Sequence, residues 1–170
     1  RTYEVLVSAP AAPAQPRSGA TPSLYDNSGS WAVESWTEGA NAHMCSATIA
    51  NPSAQPDFGS FLRIENDGRQ WALASDYLIS GNYADVNLLI DGNAFLVRFQ
   101  LEGDVARAPV DQAVVDALAA GRRINLNFDP SGQNFSLRGS QAALAMVGAC
   151  VRGHGLENAG KPGVNDYNGY

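Results

Sequence analysis

The stretch from Asn134 to Gly153 constrains the fold most, because its pattern changes from strand to helix within a few residues. Phe135 and Leu137 alternate with polar residues, which is typical of a short, half-buried strand. Ser140 follows a break in that alternation, and its hydroxyl is suited to cap the first turn of a helix. We expect Gly153 to end this helix in a left-handed conformation. The apolar face of the helix comprises Ala143, Leu144, Val147, Cys150 and Val151.

The two cysteines of the chain suggest how this helix is fastened to the rest of the fold. Cys150 shares the apolar face of the helix, and Cys45 lies in the segment 43–49, which we interpret as a strand. We therefore predict a Cys45–Cys150 disulfide that closes a loop of more than a hundred residues. In the chain-entropy model such a loop contributes roughly 4–5 kcal/mol of stability.

A metal site is the alternative use of these cysteines. His43 and Cys45 would share a strand face, and Cys150 and His154 would share a helix face if the helix ran past Gly153. Two cysteines and two histidines are a common ligand set for tetrahedral zinc. Free thiols are the third alternative. We favour the disulfide, and we therefore expect neither a metal nor any other cofactor.

Length, charge and cysteine usage limit the class of protein. A chain of 170 residues is most simply one domain. Its net charge of −6 argues against a nucleic-acid partner, and no apolar run approaches the ~20 residues of a transmembrane segment. Two distant cysteines without a Cys-x-x-Cys motif favour an oxidising compartment. The chain begins at Arg1, as a mature protein or a trimmed chain would. We expect a periplasmic or extracellular protein that has lost a signal peptide.

Strand patterns dominate the middle of the chain and predict a mainly β (α+β) fold. Asn66-Asp67-Gly68 and Asp91-Gly92-Asn93 are strong hairpin signals between such strands. We predict an antiparallel β-sandwich or curled sheet with two packed helices, the first over 110–120, and extended N- and C-terminal arms. Residues 103–109 are interpreted as a connection. The predicted strands are 31–36, 43–49, 60–65, 70–75, 86–90, 94–100, 123–128 and the one beginning near Asn134.

Both ends of the chain differ in composition from the middle. Residues 1–23 form an N-terminal arm with a Pro- and Ala-rich linker, residues 24–153 the globular domain, and residues 154–170 a Gly- and Asn-rich tail. The tail composition predicts disorder unless the tail lies on its own domain or on a partner. Residues 2–8 have a strand pattern that suits addition to the sheet edge of a partner. The candidate partner-binding residues are Tyr3, Val5, Val7, Tyr25, Tyr167 and Tyr170.

Other side chains suggest alternative functions. Trp31 and Trp36 lie on opposite faces of a predicted strand, so if Trp31 is in the core, Trp36 is the candidate for binding a glycan or peptide. No Gly-x-Ser-x-Gly motif frames a serine, which argues against a hydrolase built on His43 or His154. We predict that the protein is not an enzyme.

Four segments resemble a known family. Trp31–Val33, Cys45, Val114–Gly121 and Phe135–Leu144 together are similar to the invasion-associated locus B family of alphaproteobacterial envelope proteins. The resemblance implies a periplasmic or exported β-rich domain without an established catalytic centre, and it implies no site residues.

These observations lead to one functional prediction and two alternatives. We predict a non-enzymatic, secreted or periplasmic envelope protein that acts as an accessory or assembly subunit through its terminal arms. The partner would be another protein or a second copy of the chain. The alternatives are a small-ligand or glycan-binding module that uses Trp36 and, with less support, a hydrolase.

Overall fold

The computed structural model describes residues 20–39, 41–51, 61–76, 79, 81–127 and 133–156. Tyr25 is the one candidate partner-binding residue within these ranges. The other five lie outside the described residues, namely Tyr3, Val5, Val7, Tyr167 and Tyr170.

Within these residues, one antiparallel sheet of ten strands carries two helices, which confirms the predicted fold class. The order across the sheet is β1-β2-β3-β4-β5-β8-β7-β6-β9-β10. The helices are α1 (Gln112–Ala120) and α2 (Ser140–Gly153). The strands are β1 (Thr21–Ser28), β2 (Trp31–Glu38), β3 (Asn41–Ala50), β4 (Phe61–Asn66), β5 (Trp71–Ser75), β6 (Tyr83–Ile90), β7 (Asn93–Glu102), β8 (Val105–Val110), β9 (Arg123–Asn127) and β10 (Gln133–Ser136).

The sheet curls so that its two ends approach each other. The Ser28 hydroxyl donates to the carbonyl of Gly139, and the Trp31 indole N–H donates to the carbonyl of Arg138, both at 3.0 Å. Ser28 and Trp31 belong to one end of the sheet, while Arg138 and Gly139 directly follow the strand at the other end. Gly139 has φ 86°, and a Cβ there would lie 3.1 Å from the Ser28 carbonyl oxygen, so glycine is required at this contact.

The inner face of the curled sheet forms the hydrophobic core. Alternating strand residues point to this face, and both helices add their apolar sides to it. α2 packs on β1 to β4 and on α1. The large, fully buried side chains of this face include Trp31, Val33, Leu62, Ile64, Leu73, Leu88, Phe99, Leu118, Ile124, Leu126 and Leu137. No helix in the described part of the chain is long and apolar enough to cross a membrane.

The predicted disulfide is confirmed. Cys45 on β3 and Cys150 on α2 are bonded, with their Cα atoms 6.1 Å apart and a sequence separation of 105. The zinc alternative is wrong, because both thiolates that it needs are consumed by this bond. Among the described residues, no group of three or more His, Cys, Asp or Glu side chains is arranged to hold a metal ion.

Buried residues extend beyond the predicted domain boundaries at both ends. Ala20 is completely buried and β1 begins at Thr21, although residues 20–23 were assigned to the linker. Leu156 also packs in the core, although residues 154–170 were assigned to the tail. Local composition misleads here because β2 supplies a strand partner and the core supplies an apolar surface.

Residues 103–109, predicted to be a connection, contain most of β8. Its inward-facing residues are Ala106, Ala108 and Val110, and the two alanines have too low a β-propensity to give a strong strand signal. Arg107 and Pro109 face outward and further obscure the alternation. The strand forms because β5 and β7 flank it on both sides.

Two predictions about the ends of α2 are wrong in detail. Gly139, not Ser140, is the N-cap residue, and the Ser140 hydroxyl instead donates to the carbonyl of Leu118 at 2.7 Å. The helix does end at Gly153, but the left-handed glycine is Gly155, with φ 69°. In both cases hydrogen bonds to neighbouring backbone decide the geometry, and spacing along the sequence does not reveal them.

Candidate functional site

The outer face of β4, β5 and β8 buries charged side chains, which is unusual for a sheet surface. On β4, Leu62 and Ile64 point into the core, so Arg63 and Glu65 point outward. Nevertheless, Arg63 is 3% exposed and Glu65 is 4% exposed. Charged residues are almost never this buried unless they are paired.

Small residues on β5 allow the long side chains of its two neighbours to meet. Ala74 is opposite Arg63 of β4 on one side and Arg107 of β8 on the other. Ala72 is likewise opposite Glu65 and Pro109. With only a methyl group between them, side chains from β4 and β8 can bridge the intervening strand.

Arg63, Glu65, Arg107 and Glu102 form what we call the outer-face ion cluster. Arg63 Nε donates to Glu65 Oε2 at 2.9 Å. Arg107 donates two hydrogen bonds to the same carboxylate, from Nε to Oε1 at 2.8 Å and from Nη2 to Oε2 at 3.1 Å. Arg107 Nη1 also donates to Glu102 Oε1 at 2.6 Å. Both arginines therefore compensate the buried charge of Glu65.

Burial and attraction act in opposite directions on the two arginines. Burial lowers the pKa of Arg63, and the charge and hydrogen bond of Glu65 only partly offset this effect. Burial also pushes the pKa of Arg107 down, but its bonds to Glu65 and Glu102 outweigh burial, so this pKa is raised. Because arginine starts from a very high pKa, both guanidinium groups stay charged at neutral pH.

Aromatic side chains cover Arg63. Its guanidinium carbon lies 5.0 Å from the ring centroid of Trp36 and 5.1 Å from that of Phe61, within the range of cation–π attraction. The Trp36 indole N–H donates to the Ser46 hydroxyl at 2.9 Å. Trp36 also belongs to a small apolar cluster with Ala20 and Met44.

The prediction that Trp36 is an exposed ligand-binding residue is therefore wrong. Trp36 does lie on the face opposite Trp31, as the strand period predicts, but it is only 1% exposed. The error came from equating the outer face of the sheet with the solvent-exposed face.

A cleft of about 230 Å³ opens beside Glu65 and Arg107. A β-bulge brings His43 to it, because Trp36 pairs with Met44 while Thr37 pairs with Ala42. His43 thus leaves the face of Cys45, on which the sequence pattern placed it. The remaining lining residues are Met44, Asp67, Gln70, Ala72, Gln100, Glu102 and Pro109. His154, the other candidate histidine, is exposed at the end of α2 and does not line this cleft.

A second surface feature is β1, which forms one edge of the sheet. Tyr25 is the extra residue of a bulge and is 46% exposed, and its neighbour Leu24 is 63% exposed. Every residue of β1 except Ser28 is exposed. Tyr25 thus lies where the partner-binding prediction requires it, although partner binding itself stays a prediction.

The outer-face ion cluster was not predicted, although the sequence contains its pattern. Apolar residues at 62 and 64 alternate with Arg63 and Glu65, and alanines at 72 and 74 leave space beside them. Four other carboxylates have structural roles: Asp111 caps α1, Asp91 accepts backbone N–H groups of residues 122 and 123, Asp116 bonds Gln112 and Asp85 pairs with Arg98.

Comparison of the chain with protein-family models, curated proteins and solved structures finds no match. The resemblance to the invasion-associated locus B family therefore stays a prediction. The fold and the surface define a class: a disulfide-linked, curled antiparallel sheet with two helices, an exposed edge strand and a buried ion cluster beside a small cleft.

Proposed function

We propose that the protein is a non-enzymatic, exported accessory or assembly subunit that binds another chain through its N-terminal arm and β1. The disulfide is compatible with export to an oxidising compartment, periplasmic or extracellular. The non-enzymatic part of the proposal rests on the sequence, in which no nucleophile motif frames a serine.

The exposure of β1 carries the proposal. An edge strand presents backbone N–H and C=O groups along its outer side, and such groups pair readily with a strand from another chain. β1 is eight residues long and has two large exposed apolar side chains, Leu24 and Tyr25. Natural edge strands are usually protected by charges, prolines, bulges or short length, and β1 has Pro22 and the bulge at Tyr25. Among these eight residues, Asp26 carries the only charged side chain.

The sequence before β1 supplies a suitable strand. Residues 2–8 place Tyr3, Val5 and Val7 at alternating positions, and Leu6 is the one apolar residue between them, a pattern that favours strand pairing. Three prolines at positions 10, 13 and 16 favour an extended linker over a tight turn back onto β1. This arrangement favours donation of the arm to a second copy of the chain.

Light scattering of the full chain, across a range of concentrations, tests this proposal. We expect a concentration-dependent increase in mass that is lost when residues 1–19 are removed. We also expect its loss in Leu24→Lys, because a lysine on an edge strand opposes pairing.

Leu96→Lys is the matched control. Leu96 is 71% exposed on β7, where it pairs with Asn87 of β6, and β7 lies far from β1 in the order of the sheet. We expect this variant to associate as the unmodified chain does. Monomeric behaviour of both full and trimmed chains would remove the main support for assembly through the arm.

A further inference from the structure

We propose that the cleft beside Glu65 and Arg107 binds a neutral, polyhydroxylated ring, such as one hexose unit. This site is separate from β1, and the inference does not depend on assembly through the arm. Four properties of the cleft support it: its size, its hydrogen-bonding groups, its charge balance and its apolar patch.

The size of the cleft limits the ligand to a small molecule. Pockets for drug-sized ligands typically measure roughly 300–1,000 Å³. The cleft measures about 230 Å³ and is open on one side. It can therefore enclose one ring of a larger molecule or one small molecule, but not an extended peptide.

The cleft offers donors and acceptors close together. Arginine has five N–H donors, and Arg107 uses three of them in bonds to Glu65 and Glu102. Two donors remain without an acceptor among the described residues. The amides of Gln70 and Gln100 each offer both donors and an acceptor, and Glu102 is an exposed acceptor. A hydroxyl group, which both donates and accepts, matches such a wall.

The charges around the cleft favour a neutral ligand over an ion. Of the charged groups that line the cleft, Arg107 is already bonded to both Glu65 and Glu102. A ligand carboxylate that approached Arg107 would also approach Glu102 and be repelled by it. A ligand ammonium that approached Glu102 would likewise be repelled by Arg107. Asp67 adds a further negative charge to the lining, so an anion is disfavoured most, and its Oδ1 already accepts the backbone N–H groups of Arg69 and Gln70.

An apolar patch completes the site. Met44, Ala72 and Pro109 line the cleft beside these polar groups. Sugar rings combine hydroxyl groups with C–H faces, and binding pockets commonly combine a few placed polar groups with apolar walls. Buried bonds to Glu65 also hold the Arg107 guanidinium in place, so little side-chain entropy remains to be lost on binding.

Ligand-observed NMR with the full chain tests this inference. The neutral probes are the methyl glycosides of glucose, galactose, mannose and N-acetylglucosamine, and the charged probes are acetate and ethylammonium. We expect saturable, millimolar binding of at least one glycoside and none of either ion. The free sugar and a linear trisaccharide then show whether the ring is recognised alone or within a glycan.

Gln100→Ala locates the binding without disturbing the outer-face ion cluster, because Gln100 is exposed and makes no bond to the cluster. We expect the dissociation constant to rise about 3- to 10-fold, as loss of one hydrogen bond predicts. Gln141→Ala, the same change at an exposed residue of α2, should leave it unchanged.

Three results would overturn the inference: no glycoside binds, an ion binds in preference, or Gln100→Ala and Gln141→Ala behave alike. Leu24→Lys should abolish assembly but retain glycoside binding, so failure of this inference is distinguishable from failure of the proposed function.

Discussion

The inner and outer faces of the sheet are stabilised by different interactions. The inner face is apolar and is linked to α2 by the Cys45–Cys150 bond. The outer face near β4 and β8 contains a buried ion cluster instead, with Glu65 held by two arginines. A buried ion pair is often no more stabilising than apolar residues of similar volume. The apolar inner face therefore supplies most of the packing, and the charges on the outer face are those on which the proposed ligand cleft depends.

Removal of the disulfide should give the largest effect on the inner face. Cys150→Ala opens a loop spanning 105 residues, so we expect the free energy of unfolding to fall by about 4–5 kcal/mol. Thermal unfolding with and without reductant measures this loss. Cys45→Ala combined with Cys150→Ala should resemble the single variant, since either change breaks the same bond. Identical melting temperatures in the two conditions would contradict the expected role of the disulfide.

Glu65→Gln should give the largest effect on the outer face. The change leaves Arg63 and Arg107 buried without their shared carboxylate, so we expect a loss of about 3–5 kcal/mol. Urea unfolding at neutral pH measures this loss in the free energy of unfolding.

Asp85→Asn is the matched control for Glu65→Gln. Asp85 forms a two-bond pair with Arg98, at 2.7 and 3.1 Å, and Arg98 lies over the Tyr83 ring. The chemistry resembles that of the cluster, but both side chains are about half exposed, at 54% for Arg98 and 46% for Asp85. We expect a much smaller change, because water and salt screen the pair. Equal losses in the two variants would show that burial does not distinguish these ion pairs.

Glu34→Gln should give the smallest effect and should appear as a change in pH dependence. Burial raises the pKa of Glu34 on β2, and the nearby charge of Arg63 opposes this only in part. The folded state therefore holds this proton more tightly than the unfolded state. The contribution of Glu34 favours folding at low pH and is lost as pH rises from the ordinary value of 4.5 to the raised pKa.

The stability of Glu34→Gln relative to the unmodified chain should accordingly increase across this pH interval and then remain constant. Urea midpoints measured at a series of pH values test the sign. A difference that runs in the opposite direction would mean that attraction to Arg63 outweighs burial.

Much of the fold could be predicted from residue periodicity. Alternation identified most strands, hairpin turns at Asn66–Gly68 and Asp91–Asn93 matched two pairs of neighbours, and the helical spacing placed Cys150 correctly. Periodicity failed at β1 and β8, where the strands form because neighbouring strands pair with them. It also failed at His43, because a bulge changes which face a side chain occupies.

The candidate sites were less predictable. Tyr25 was identified from its position near the end of the chain, and it is exposed on the edge strand. Trp36 was placed on the correct face but is buried, and Arg63, Glu65 and Arg107 were not identified. Arg63 and Arg107 are 44 residues apart in sequence and meet because β4 and β8 both flank β5.

The sequence by itself determined the strand and helix patterns, the pairing of its two cysteines and the location of most of the apolar core. These properties depend on local spacing and on the residue types themselves. The tertiary structure alone decided which part of the outer face is buried and which charges meet there. That outcome depends on strand order and on small residues in the intervening strand, which act between segments far apart in the chain.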